Sequence, residues 1–325
     1  MRLRYVIYGA GGIGGVIGAR LFQAGQDVTL IARGEHARVM SAQGLRLIAP
    51  NEQLTFQMPV VEHPAAARID HQTVVLLCMK SQHTLSALED LAGCASPDTP
   101  VVCVQNGVAN ERQALRFFKH VYATVVNLPA LYLTPGEVVS FAQGQGGILD
   151  SGCYPGGVDE LSDRLTKDLS SAGFSSIADP RVMRKKYAKL LLNLNNVLLA
   201  GVKDFENTQH LRQLILQEAL ACYDAAHIQC ASKEDVKARQ NGVYQMAKIP
   251  GYENSAGSSW QSVMRGTGDI ETEYLNGEIS LLGRLHGVAT PANDACVGLA
   301  RQLMRSKSGP GIVTAATLLA TLQNA

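Results

Sequence analysis

Nowhere in its 325 residues does the chain hold eighteen apolar residues in succession, the minimum of about 18 that a membrane-crossing helix needs. The apolar run from Gly311 to Leu322 is too short and reads as a packing helix. No Cys-x-x-Cys pair occurs: the seven cysteines, at 78, 94, 103, 153, 222, 230 and 296, are scattered and odd in number. That excludes a disulfide or zinc framework; no metal site is expected, and the thiols read as reduced and mostly buried in a cytoplasmic protein. Charge of one sign is also missing. The formal net charge is +1, and no Lys/Arg-rich run or interleaved aromatic patch suggests nucleic acid. The cluster Arg181, Arg184, Lys185, Lys186 is short and falls at the start of a helix. Met1-Arg2-Leu3-Arg4 leads straight into a strand, so no signal peptide is expected. What remains is a chain 46% hydrophobic, enough for two domains with cores of their own.

The most informative segment is Tyr5-Val6-Ile7-Tyr8 followed by Gly9-Ala10-Gly11-Gly12-Ile13-Gly14. In a Gly-x-Gly-x-x-Gly turn between strand and helix, Gly9 permits the tight turn and Gly11 lets the backbone approach a pyrophosphate. Gly14 lets the helix pack closely on the strand. The helix N-terminus then offers unpaired N–H groups to the phosphates. Ile13, Val16, Ile17 and Leu21 keep helical spacing, and Gly25 stands where a C-terminal cap belongs. The second strand, Val28-Thr29-Leu30-Ile31-Ala32, ends on Arg33. NAD-binding versions place an acid there for the ribose 2′-hydroxyl; Asp27 lies at the wrong end of the strand. A guanidinium suits the 2′-phosphate of NADP, so NADPH is the expected cofactor. The bland alternative is a solvated arginine at a strand end.

Further apolar strands, Thr73 to Cys78, Pro100 to Val104 and Val121 to Val126, alternate with helical stretches. Continuous apolar strands suit a parallel sheet covered on both faces. Gly44 to Leu47 and Leu54 to Val61 read as a local β excursion, and Gly136 to Val139 and Gly147 to Leu149 as antiparallel extensions. Near Asp179-Pro180 the pattern turns helical, and Thr290-Pro291 is a helix start. The expected fold is therefore α/β: a Rossmann-like doubly wound sheet over 1–178, then an all-helical substrate and catalytic domain over 179–325. Substrates of two-domain reductases sit between such domains.

Three places beyond the glycines carry chemistry. Lys80 follows the third apolar strand and Asn106 the fourth, and both project toward the crevice beyond the strand ends; Asn106-Gly107 also reads as a turn. On a helix expected over Val182 to Ala200, Lys185, Lys189, Asn193 and Asn196 share one face. A polar stripe of this kind usually faces water. Here Leu190, Leu192 and Val197 flank it closely, so it reads as narrow and cleft-facing. Hydride reduction of a ketone makes an alkoxide that a positioned acid must protonate, and a partly desolvated lysine can serve.

These motifs together resemble the ketopantoate reductase (2-dehydropantoate 2-reductase) family over nearly the whole chain. The glycine loop, Leu30 to Gly34, Met79-Lys80, Gln105-Asn106-Gly107, Lys189 to Asn193, Glu271 to Gly277 and His286 to Pro291 stand in the family's order, with Ser258-Ser259 before Glu271. The resemblance implies NADPH-dependent reduction of 2-dehydropantoate (ketopantoate) to pantoate, in pantothenate biosynthesis. It implies Lys189 as general acid and Glu271 as its orienting carboxylate. Gly9, Ala10, Gly11, Gly12, Ile13, Gly14, Arg33, Lys80 and Asn106 would hold cofactor; Lys80, Asn106, Asn193, Asn196 and Ser259 would hold substrate. Glu271 could instead be a solvated carboxylate, and Ser259 a helix cap beside Ser258-x-x-Gln261. The chain departs from the family pattern at Val197, where an asparagine is usual, at Tyr187 for tryptophan, and at Trp260 for a smaller residue. A paralogue acting on another 2-oxo acid and a non-catalytic NADP(H)-binding sensor are the competing readings; FAD or S-adenosylmethionine would fit the glycines alone. The expected partner is a small 2-oxo acid, with no nucleic acid and no membrane, and a homodimer is left open.

Overall fold

Strands that are apolar on both faces need a covering layer on each side, and the first part of the chain supplies it. A computed structural model describes residues 3–252, 259–260, 262–263, 270–306 and 309–323. It divides into two units: Met1–Asn106, Asn110–Lys186 and Lys233–Asn254 make the first, and Gly107–Ala109, Tyr187–Ser232 and Ser255–Ala325 the second. The first unit runs β1 (Arg4–Tyr8), α1 (Gly12–Gln23), β2 (Asp27–Ile31), α2 (Gly34–Gln43), β3 (Leu45–Ala49), β4 (Glu52–Phe56), β5 (Val60–Val61) and β6 (Thr73–Leu77). It continues through α3 (Thr84–Ala92), β7 (Val101–Cys103), α4 (Asn110–Ala114), β8 (Val121–Asn127), β9 (Ala130–Leu131), β10 (Glu137–Ser140), β11 (Ala142–Gly144), β12 (Ile148–Cys153) and α5 (Glu160–Ser171).

The main sheet has the order β12-β8-β7-β6-β1-β2-β5. It is parallel except where β12 runs against β8. Ile7, Ile17 and Leu30 are buried on one face, Val6, Val75 and Leu88 on the other. The chain moves outward from β1 through β2 and β5, then returns to the far side of β1 as β6. That reversal creates a crevice beyond the β1 and β6 carboxyl ends, where open α/β sheets bind ligands.

The expected β excursion divides: β3 and β4 enter a second sheet, β4-β3-β10-β9, whereas β5 joins the main one. Of the two expected antiparallel extensions only β12 extends the main sheet, since β10 runs parallel to β3. The unit boundary differs from the expected one at 178. It falls within α6 (Val182–Asn193), and residues from Lys233 rejoin the first unit. Two interactions bring that segment back. β13 (Tyr244–Met246) pairs with β11, and Arg239 clamps Asp150, which is fully buried, at 2.9 and 2.6 Å. A buried carboxylate needs such partners to stay charged.

The second unit is helical: α7 (Asn196–Gly201), α8 (Gln209–Ala225), α10 (Asn276–His286), α11 (Pro291–Ser306) and α12 (Ala315–Gln323), with α9 (Lys233–Gln240) belonging to the first unit. Pro291 opens α11 as expected, and the Glu218 carboxylate accepts from the next two N–H groups at 2.8 and 3.0 Å. The expected helix over Val182 to Ala200 is broken at Leu194–Asn195. Asn276 is the cause: its Nδ2 donates to the Leu194 carbonyl at 3.1 Å and to Asn293 Oδ1 at 3.1 Å. A carbonyl held from outside the helix favours a kink over continuation. Among the described residues no helix is long and apolar enough to cross a membrane. All seven cysteines are free thiols; Cys103, Cys222 and Cys296 are buried, whereas Cys94 is exposed.

Candidate active site

The glycine loop has the tight geometry its spacing predicts. Gly9 has φ +98°, and a Cβ there would lie 2.7 Å from the Met79 N in the segment after β6. A Cβ on Gly14 would stand 2.2 Å from the Gly9 carbonyl oxygen and 2.8 Å from Cys78 Cβ. Helix α1 packs on the sheet only because both positions lack side chains. Gly11 is different: its Cβ would meet only Tyr132, at 3.9 Å. Gly11 is also the N-cap of α1 and supplies no side-chain cap. The first N–H groups of α1 thus have no side-chain cap, and this cradle fits a dinucleotide pyrophosphate.

A residue not singled out in sequence holds this loop. Buried His36 on α2 meets the Ala10 carbonyl with Nε2 and the Gly136 N–H with Nδ1, each at 2.8 Å, and lies against the Tyr132 ring. Only the neutral ring protonated at Nε2 satisfies both partners. Burial pushes the His36 pKa below its ordinary 6.5, outweighing the Ala10 carbonyl, which favours the charged form. The unfolded chain therefore takes up a proton that the folded chain refuses. The stability His36 contributes is full above the ordinary histidine range and is lost as pH falls through it toward the lower folded value. The thermal midpoint should fall more steeply between about pH 6.5 and 5 in the native protein than in His36→Gln; equal slopes would refute this.

The second strand ends at Ile31, two residues before the expected Arg33, which instead serves as the extended N-cap of α2. Its guanidinium draws down the Tyr8 pKa, which burial and Asp90 nevertheless hold raised at about 12. Lys80 and Asn106 follow β6 and β7 at the crevice. Asn106 Oδ1 is buried with no hydrogen-bond partner among the described residues, and a buried acceptor left open in this way suits a ligand. Gly107 has φ +79°, so the segment is also a turn.

The Asn106 backbone is held by a polar network that sequence reading missed. Asn110 Nδ2 donates to the Asn106 carbonyl and to Ser81 Oγ, both at 3.1 Å, and Thr84 Oγ1 donates to Asn110 Oδ1 at 2.8 Å. Lys186 Nζ donates to the Gln105 carbonyl at 2.9 Å and pairs with Glu111 at 2.5 Å. Neither Lys186 nor Glu111 carries a motif signal, because a lysine in a basic cluster looks solvated.

The polar stripe expected on one long helix is only partly present. Lys185 is taken by Asp150 at 2.8 Å and Asp179 at 2.7 Å. Burial would lower its pKa, but the two carboxylates outweigh burial and hold it above the ordinary lysine value. It is a structural cation. Asn196 opens α7 beyond the break, so it does not continue the stripe. What survives is Lys189 and Asn193, one turn apart on α6 in the second unit and both half-buried. Asn193 Nδ2 is buried with no hydrogen-bond partner among the described residues. Leu192, expected to flank the stripe, is 59% exposed, whereas Val197 is buried. Glu271, in a short 3₁₀ turn of the same unit, is 7% exposed, which removes the solvated-carboxylate alternative. Ser259 is buried and Trp260 half-buried; Ser258 and Gln261, the suggested capping pair, lie outside the described residues. Among the described residues no group of three or more His, Cys, Asp or Glu could hold a metal ion.

Comparison with known proteins matches residues 5–152 to the family model described as Ketopantoate reductase PanE/ApbA, and residues 181–304 to that of its C-terminal domain. The chain is 26% identical to a 2-dehydropantoate 2-reductase of Mesorhizobium japonicum, over 93% of this chain and 98% of that one. Among solved structures, a PanE/ApbA family ketopantoate reductase from Ralstonia eutropha shares the fold with a TM-score of 0.76 at 24% identity, covering 94% of this chain and 99% of that one. A D-mandelate dehydrogenase with NADH and anilino(oxo)acetate has a TM-score of 0.77 at 21% identity, with the same coverage.

Proposed function

The chain belongs to the ketopantoate reductase family of oxidoreductases, and from that premise we propose that it reduces 2-dehydropantoate to pantoate with NADPH. The observation that carries this reading is the pair one turn apart on α6: half-buried Lys189, and Asn193 with its buried, unpartnered Nδ2. When bound, NADPH supplies the hydride to the substrate's C2 carbonyl. The chain's own residues do the rest. Lys189 carries the proton that neutralises the developing alkoxide. The buried Glu271 carboxylate accepts from substrate hydroxyls and orients Lys189. Asn193 and Ser259 hold the substrate's polar groups. In the first unit, the open N–H groups of α1 hold the pyrophosphate and Arg33 the 2′-phosphate, with Lys80 and Asn106 contacting cofactor and substrate. Asn196, set beyond the break at the start of α7, is not needed for these roles.

A second reading, a paralogue acting on another 2-oxo acid, is favoured by one observation. The family's second asparagine is replaced by Val197, which is 1% exposed and so belongs to the core. One structure sharing the fold is a D-mandelate dehydrogenase. NADPH oxidation with ketopantoate beside a panel of 2-oxo acids, including that corresponding to mandelate, separates the two. Ketopantoate should have the highest kcat/KM; a panel member exceeding it would establish the paralogue, and no turnover with any would overturn both.

A further inference from the structure

An acid stands where the second strand alone provides none. β5 pairs in parallel with β2, Leu30 opposite Val60 and Ile31 opposite Val61, and the Ala32 N–H donates to the Val61 carbonyl at 3.0 Å. This register brings the residue that follows β5 level with the residues that follow β2. Glu62 therefore emerges beside Arg33, and its Oε2 accepts from the Gly34 N–H at 3.2 Å. Gly34 is the first residue of α2, and Arg33 is its N-cap. Both Glu62 and Arg33 are exposed, so both are open to a bound molecule.

The two side chains ask opposite things of the same cofactor position. A guanidinium at this strand end favours a 2′-phosphate, whereas a carboxylate accepts a hydrogen bond from a free ribose 2′-hydroxyl. The N-terminus of α2 would itself attract a phosphate, but one of its N–H groups is already engaged by Glu62. A 2′-phosphate drawn to Arg33 thus meets a like charge.

We propose that Glu62 is a specificity-determining residue that narrows this chain's preference for NADPH over NADH, by repelling the 2′-phosphate and accepting from the unphosphorylated 2′-hydroxyl. The proposal rests on the reading that the glycine loop binds a nicotinamide dinucleotide. Glu62→Gln is the discriminating variant, because the amide oxygen can still cap Gly34 while the charge is gone. A purely helix-capping Glu62 would leave the two cofactors affected alike.

The test is calorimetric titration of the full chain with NADPH and with NADH, without any 2-oxo acid. The ratio of the two dissociation constants should move by about fivefold toward NADPH in Glu62→Gln, the scale of one partly screened charge interaction. Arg33→Gln should move it the other way. Both exposed substitutions should leave the thermal midpoint near that of the native protein. A Glu62→Gln ratio equal to the native one, or shifted toward NADH, overturns the proposal. Failure of both dinucleotides to bind the native chain overturns the cofactor reading itself, and this proposal with it. Failure to reduce ketopantoate touches neither, since no substrate is present.

Discussion

Lys189→Ala should lower turnover of 2-oxo acid by about a hundredfold or more, the usual contribution of a positioned general acid, while the dissociation constant for NADPH stays unchanged. The asymmetry follows from where the residue sits: Lys189 belongs to the second unit, whereas the glycine loop, Arg33 and His36 belong to the first. Losing only the acid leaves the cradle for the pyrophosphate intact. Lys189→Arg sharpens the result. It keeps a positive charge but holds its proton too tightly to donate it near neutral pH, so the rate should not recover. Single-turnover NADPH oxidation, paired with calorimetric NADPH binding, separates the two effects. An alanine variant with near-native turnover would remove Lys189 from the chemistry, and an arginine variant with native turnover would make it an electrostatic residue only.

The second large effect concerns stability. Lys186 is 3% exposed and Glu111 is 0% exposed. The ammonium also donates to the Gln105 and Thr124 carbonyls, at 2.9 and 3.4 Å. Lys186→Met would strand a charged carboxylate in the interior, which typically costs about 3–5 kcal/mol. Replacing both partners removes that charge, so Lys186→Met with Glu111→Leu should recover most of the loss. Denaturant unfolding of the single and double variants is the measurement. A double variant no more stable than Lys186→Met would show that the ammonium's bonds to the two carbonyls, not the ion pair, carry the stability.

How far such features can be read in sequence depends on the range of their causes. The glycine loop was legible because the reasons for Gly9, Gly11 and Gly14 lie within one strand, one turn and one helix. The place of Arg33, just past the second strand, was legible for the same reason. Glu62 was not, because nothing in its own neighbourhood says that β5 will lie beside β2. The break at Leu194–Asn195 was equally hidden: the group that captures the Leu194 carbonyl belongs to Asn276, far along the chain. Lys185 and Lys189 look alike on a helical projection, yet Asp150 and Asp179 consume the first. Periodicity says which residues share a face and is silent about what meets that face.

The return of Lys233–Asn254 to the first unit bears on how this protein can be divided or recombined. Neither unit is one uninterrupted stretch of sequence, so no single cut yields either whole. A fragment ending at Lys186 would lose β13 from the edge of β11 and the Arg239 clamp from Asp150. The cofactor unit is therefore no detachable cassette. Exchanging it for that of another reductase would require five junctions to be matched at once, those after residues 106, 109, 186, 232 and 254.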